Sequence, residues 1–356
     1  MTGLLNLITD VDGVRIGNAQ DERVATGVTV ALFDEPAVAS CAVQGGAPGT
    51  RETDLLEPDR TVPAIHAIVL GGGSAFGLDA AGGVQSLLRE RGIGFPVGPV
   101  RVPIVPQAIC FDLLNGGDKE WGRHAPYRDL GYAAASAAAH DTFALGTAGG
   151  GYGATTVDLK GGLGSASAVT ESGHTVGALV IVNALASAVI GGGPHFWAGG
   201  LEEGAEFGGL GWPERVTPAM RRLAWKGGPQ PATTIALVAT DAALTKAQAK
   251  RLAVVAHDGL AKALRFAHAM FDGDTVFAAA TGRRPLGDEA TDLIRLGATA
   301  ADCLARAIAR GVYEATALPF PGALPAWRDR FSLDPQLDSL SPRAGRGSPV
   351  AGRGSA

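Results

Sequence analysis

The stretch that decides the fold is Ala232-Thr233-Thr234-Ile235-Ala236-Leu237-Val238-Ala239-Thr240-Asp241. After its first residues it is apolar at odd and even positions alike. That pattern predicts a central strand covered on both faces, with helices packing over the sheet. Just before it runs Gly227-Gly228-Pro229-Gln230-Pro231, a Pro/Gly segment that reads as a loop. A loop that enters a buried strand through a threonine is the pattern of a chain cut to leave a hydroxyl residue at a new N-terminus. A terminal threonine carries a nucleophile, its Oγ, and a base, its α-amine, on one residue.

Downstream, Thr245-Lys246-Ala247-Gln248 spells a capping box. Leu252, Val255, Ala256, Leu260, Ala263 and Leu264 follow at helical spacing. Then come a turn, Phe271-Asp272-Gly273-Asp274, a strand over 275–280 and a long helix over 288–315. Upstream, 174–182 reads as an apolar strand ending at Asn183. An Ala-rich helix covers 129–140, and glycine-rich runs occupy 146–153 and 160–167. Nearer the start, β-rich runs at 24–33 and 37–43 precede a strand at 64–70, a glycine loop at 71–77 and a helix at 78–91. Residues 95–106 are Pro- and Gly-rich, and no internal repeat is found.

With 356 residues, 46% of them hydrophobic, the chain has enough apolar mass for a large core. A net charge of −5 offers no basic field to attract nucleic acid. No apolar run is long enough to span a membrane, and Met1–Asn6 lacks the basic and apolar regions of a signal peptide. Cys41, Cys110 and Cys303 are widely spaced, which suits buried, reduced thiols and a cytoplasmic location. Residues 1–335 read as a single catalytic domain. The stretch 339–356, rich in Ser, Pro, Gly and Arg, reads as a disordered tail.

Several catalytic motifs fail on spacing. In the loop at 71, the third glycine of a dinucleotide fingerprint would fall on Phe76, and no Gly-Lys pair supplies a Walker lysine. Ser74 is not in a nucleophile elbow, because the second glycine arrives one residue late, at Gly77. The seven histidines are scattered and form no metal-ligand spacing, so neither metal nor cofactor is expected. What remains is Thr233 with Asp272 and Asp274, two carboxylates flanking a glycine before a strand. Such a pair can orient a hydroxyl, hold an ammonium or share a proton; it also reads as a plain solvated turn. Asn183 at a strand end can donate to an oxyanion, and Lys160 can support developing negative charge.

Taken together, these stretches resemble the self-processing L-aminopeptidase/D-esterase family, which includes β-aminopeptidases and endo-type nylon-oligomer hydrolases. The carriers are Leu70-Gly71-Gly72-Gly73-Ser74-Ala75-Phe76-Gly77-Leu78, Lys160 through Ser167, Val180-Ile181-Val182-Asn183, Thr233 through Asp241, and Asp272-Gly273-Asp274. The resemblance spans roughly Ile8 to Phe320 and implies an N-terminal-nucleophile-like αββα sandwich. The precursor would cut itself between Ala232 and Thr233 into chains 1–232 and 233–356, which stay together and assemble as homo-oligomers. Thr233 would be the nucleophile, Asp272 and Asp274 would hold its hydroxyl and amine, Asn183 would line the oxyanion site, and Lys160 would support it. Substrates would be peptides, amino-acid amides or esters, or ω-amino-acid oligomers. Phe111, Tyr152 and Ser74 are pocket candidates. Two departures stand out: relatives often carry Asn or Gly where this chain has Ala232, and a tyrosine near Phe111. They keep a rival reading open, a non-catalytic relative that binds a small molecule or serves as a structural protein.

Overall fold

The computed structural model describes residues 1–227 and 232–331; Pro229-Gln230-Pro231 and the 339–356 tail lie outside the described residues. In chain order the strands are β1 (Val14–Asp21), β2 (Thr26–Val43), β3 (Thr50–Arg51), β4 (Ile65–Gly71), β5 (Phe95–Val97), β6 (Val100–Val102), β7 (Gln107–Ile109), β8 (Gly162–Val169), β9 (Thr175–Asn183), β10 (Thr233–Ala242) and β11 (Thr275–Arg284). The helices are α1 (Ser74–Gly77), α2 (Ala80–Glu90), α3 (Tyr127–Ser136), α4 (Lys246–Ala256), α5 (Asp258–Ala263), α6 (Glu289–Tyr313) and α7 (Trp327–Phe331). The strands hydrogen-bond in the order β3-β7-β4-β2-β11-β10-β9-β8, with β1 also on β2 and a separate β5-β6 hairpin.

Side-chain alternation turns this order into four layers. On β10, Ile235, Leu237 and Ala239 face one apolar core, while Ala236, Val238 and Ala242 face another. The first core also takes Ile65, Ile68 and Leu70 of β4, so it lies between two facing sheets. The second is closed by α4, α5 and α6 through Leu252, Leu260, Leu304 and Ile308. A third core joins Val28, Val30 and Leu32 of β2 to α2 and α3. Helices, sheet, sheet, helices is the αββα sandwich that the sequence implies, with β10 buried along its whole length.

Strand β2 couples the two sheets. The sequence suggests two strands, 24–33 and 37–43; the chain instead stays extended through the exposed residues Asp34-Glu35-Pro36. Its first half pairs with β1 and β4 and its second half with β11, with a register shift between Leu32 and Ala37. The glycine-rich run after Lys160 is likewise a strand, β8. Its glycines serve close packing: a Cβ on Gly164 would overlap the Ala307 carbonyl of α6. The capping box forms as read, with Gln248 N–H donating to Thr245 Oγ1 at 3.2 Å and Thr245 N–H to Gln248 Oε1 at 2.8 Å. All three cysteines are buried and free, and burial raises each thiol above its usual range. No described helix is long and apolar enough to cross a membrane.

Candidate active site

Topology alone gathers residues that are far apart in sequence. Strand β10 runs antiparallel to β9 and parallel to β11. The start of β10, the end of β9 and the approach to β11 therefore share one sheet edge. Thr233 is the register partner of Asn183, and Ala232 bridges Asp272.

The backbone around Thr233 is held on both sides. Ala232 N–H donates to Phe271 O at 3.2 Å, and Gly273 N–H donates to Ala232 O at 3.0 Å. The Thr233 hydroxyl reaches the same Ala232 oxygen at 2.5 Å. Gly273 passes so close that a Cβ there would lie 2.8 Å from Thr233 Oγ1 and 2.8 Å from Ala47 O, which is why glycine separates the aspartates. One residue further, Thr234 N–H donates to Asp274 Oδ1 at 2.9 Å. The other oxygen of Asp274 takes His268 N–H at 2.8 Å and faces the His268 ring Nδ1 at 3.0 Å.

Asp272 is held more loosely. Its Oδ2 accepts Ala269 N–H at 3.1 Å, while buried Oδ1 has no hydrogen-bond partner among the described residues. Burial first, and the neighbouring Asp274 second, raise its carboxyl to about 7. Burial and a like charge both favour its protonated form. The two aspartates are not a solvated turn: each is only 1% exposed.

Asn183 donates from Nδ2 to Phe111 O at 2.9 Å, and its Oδ1 accepts Thr155 N–H at 3.0 Å. A primary amide has two N–H donors, so one remains for a substrate oxygen. Lys226, half-buried, donates to Thr155 O at 2.9 Å and lies 3.4 Å from Asn183 Oδ1; burial lowers its ammonium to about 8. Lys160 is buried. Its ammonium donates to the carbonyls of Gly151, Ala154 and Gly161 at 3.0, 2.8 and 2.8 Å, which occupies all three of its donors. Burial lowers it to about 7, and it anchors the glycine-rich turn.

A cleft of ≈ 490 Å³ opens beside this edge, lined among others by Phe111, Asp112, Asn115, Thr155, Thr156 and Lys226. Phe111 is thus in the pocket. Tyr152 and Ser74 do not line it: Tyr152 packs in a small cluster with Ala25 and Leu318, and Ser74 heads α1 with its N–H on Cys110 O. Asp112 is a wall residue that sequence reading missed; its oxygens take Thr26 Oγ1 at 2.6 Å and Gly73 N–H at 2.8 Å. The glycine loop at 71 exists for these contacts. Gly73 adopts a φ of +87°, and a Cβ there would collide with the Tyr127 ring. Lys226, His268 and the Gly273 N–H were also missed, because a backbone donor and side chains off the motifs leave no pattern in one sequence.

A four-layer sandwich with a hydroxyl residue, two carboxylates and a carboxamide at the end of one strand has the N-terminal-nucleophile hydrolase fold. The chain belongs to peptidase family S58, whose family model matches residues 6–323, and it is a hydrolase of the aminopeptidase and amidase type. It is 44% identical over 348 residues to an uncharacterized aminopeptidase of Mycobacterium tuberculosis, covering 92% of this chain and 98% of that one. It is 27% identical over 290 residues to a 6-aminohexanoate-oligomer endohydrolase of Kocuria sp., covering 79% and 76%. Its fold matches a β-aminopeptidase of Burkholderia sp. with a TM-score of 0.66, 24% identity and 92% of each chain covered. The L-aminopeptidase D-Ala-esterase/amidase of Ochrobactrum anthropi, described as a variant of the Ntn hydrolase fold, matches with a TM-score of 0.65, 22% identity and 90% of each chain covered.

Proposed function

We propose that this chain cuts itself before Thr233 and then hydrolyses amides and esters of small amino-bearing substrates through an acyl-enzyme on the Thr233 hydroxyl. The observation that carries the reading is the pair of contacts on one oxygen. The Thr233 hydroxyl lies 2.5 Å from the Ala232 carbonyl oxygen, and Gly273 N–H donates to that oxygen at 3.0 Å. When Oγ adds to the Ala232 carbonyl carbon, charge develops on an oxygen that already has a fixed donor. Collapse breaks the C–N bond, the nitrogen takes the hydroxyl proton, and an ester remains. Water then splits the ester into an Ala232 carboxylate and a Thr233 with free amine and hydroxyl.

Before the cut the Thr233 nitrogen is an amide and cannot act as a base. Asp272, raised to about 7 with one oxygen unpartnered among the described residues, is suited to take the hydroxyl proton at that stage. After the cut the new α-amine takes over: it accepts the hydroxyl proton as Oγ attacks a substrate carbonyl and returns it to the leaving amine, while the ionised Asp272 carboxylate holds that amine in place. The free N–H of Asn183 would then steady the substrate oxyanion. At 4% exposure Thr233 is closed to substrate in the uncut chain, so processing comes first. The two chains would remain together, because β10 stays paired to β9 of the large chain and β11 of its own. The reading extends to homo-oligomers of such pairs. Ala232 does not prevent the cut, since the acyl shift uses the carbonyl and the hydroxyl and not the preceding side chain. The Kocuria relative, named for 6-aminohexanoate oligomers, makes ω-amino amides a substrate class to test beside α-amino amides.

The test is trapping. The purified protein is mixed with an aminoacyl p-nitroanilide or a 6-aminohexanoate p-nitrophenyl ester, and both turnover and protein mass are followed. The expected result is hydrolysis with the acyl group on a fragment that begins at Thr233. No turnover and no adduct on any of these compounds contradicts the reading and favours the non-catalytic relative.

A further inference from the structure

We propose that His268 is a positioning residue for this site, clamping Asp274 so that its carboxylate stays aimed at the backbone just behind Thr233. The proposal rests on the hydrolase reading above and concerns how its carboxylate pair is held.

His268 grips Asp274 twice through one oxygen, with its backbone N–H at 2.8 Å and its ring Nδ1 at 3.0 Å. The opposite oxygen receives Thr234 N–H at 2.9 Å. The carboxylate therefore has two ends with distinct tasks: one is tethered to the loop at 268, the other to the start of β10. A single tether would leave it able to swing away from the nucleophile. To make both contacts, His268 adopts a φ of +62°, a left-handed conformation that L-residues avoid. Glycine or asparagine would fill such a position more easily, but neither offers a ring nitrogen to Asp274. Strain of this kind persists where the surroundings enforce it, and here Asp274 does so.

The ring also links the buried pair to solvent. Asp274 is 1% exposed, whereas the His268 side chain is 23% exposed. Its other face meets the His257 ring edge-on at 4.8 Å, and the His257 Nε2 is 3.0 Å from Ala42 O, so His257 is held in place by the backbone. The titratable groups facing this junction are Asp272 and Asp274 on the turn before β11, Lys226 from the cleft wall, and His257 and Asp258 where α4 meets α5. Among them, the positive form of His268 and the Lys226 ammonium oppose the protonation of Asp272. Removing the His268 ring thus has two separable effects: the Asp274 carboxylate loosens, and Asp272 holds its proton to higher pH.

The experiment compares His268→Ala and His268→Gln with the wild-type chain across pH. For His268→Ala we expect kcat to fall by about tenfold or more with KM within about twofold. The acid limb of kcat/KM should move to higher pH by roughly half a unit. Glutamine restores a donor without the charge, so His268→Gln should recover most of kcat while the acid limb stays displaced. Wild-type rates and an unmoved profile in both variants overturn the proposal, as does a fall in kcat with an unmoved profile and no recovery with glutamine. A second measurement is independent of turnover and of whether the alanine variant folds. In the wild-type chain, the ring-nitrogen NMR spectrum should show a downfield His268 Nδ1–H that is lost in Asp274→Ala. A ring Nδ1 that carries no bonded proton overturns the clamp even in an active enzyme. If the wild-type chain hydrolyses nothing yet shows this proton, the hydrolase reading fails and the clamp stands.

Discussion

The two ends of β10 use buried charge in opposite ways. At the far end, the His174 ring sits between Asp241 and Asp292, each 3.6 Å from one of its nitrogens. One carboxylate accepts Thr175 N–H at 3.0 Å and the other Gly287 N–H at 2.8 Å. Each carboxylate there has a backbone donor, and the imidazole separates the two. At the near end two carboxylates face each other across Gly273, and one Asp272 oxygen has no hydrogen-bond partner among the described residues. Like charges packed together cost stability, and the cost is tolerated where it holds a proton in readiness. Under the proposed function the near end of the strand carries the chemistry and the far end does not.

That contrast yields predictions of decreasing size. Thr233→Ala should lower hydrolysis by about a thousandfold or more while leaving the fold intact, measured as turnover and circular dichroism. A loss of structure in place of a loss of rate would mean that the near end is a structural element too. At the far end, His174→Ala removes the ring that separates two carboxylates and should lower the midpoint of denaturant unfolding, with turnover per folded molecule unchanged. Asp272→Asn should do the reverse, lowering kcat by roughly a hundredfold without loss of stability.

The pH dependence sharpens this last case. The Asp272 carboxyl is raised from 3.8 to about 7 in the folded state, so the folded chain binds the proton more tightly than the unfolded one. The contribution of this group to stability is full below the unfolded value and is lost as pH rises through the folded value. Asp272→Asn should therefore gain on the wild type in thermal unfolding between those two pH values and hold its advantage above them. A constant gap across that window would show that the two states titrate alike. The smallest effect is expected at the pocket wall. Phe111→Tyr adds a hydroxyl to the cleft and should change kcat/KM by about threefold or less, because Asn183 and Gly273 already supply donors.

The layers of the fold were legible because period and composition agree along β10, α4 and α6, and because the Thr245 capping box marks a helix start without tertiary help. Strand β2 was not, since Asp34-Glu35-Pro36 carry the residues of a turn yet remain extended where the chain passes between sheets. The gathering of Thr233, Asn183, Asp272 and Asp274 at one end of β10 was legible because each sits at a strand end or a turn. The surroundings of Lys160 were not legible: a lysine in a glycine-rich segment gives no sign that three nearby carbonyls will take its ammonium. Lys226 and the Gly273 N–H depend on contacts across 40 or more positions, and His268 reaches Asp274 through a left-handed backbone conformation at φ +62° that no local pattern encodes.

Self-cleavage of the Ala232–Thr233 bond is read out by the intact mass of the denatured, purified protein. Two fragments are expected, the smaller with the N-terminal sequence Thr233-Thr234-Ile235, and a single uncut chain for Thr233→Ala. A wild-type chain that remains whole, or a Thr233→Ala chain still cleaved at that bond, would contradict it.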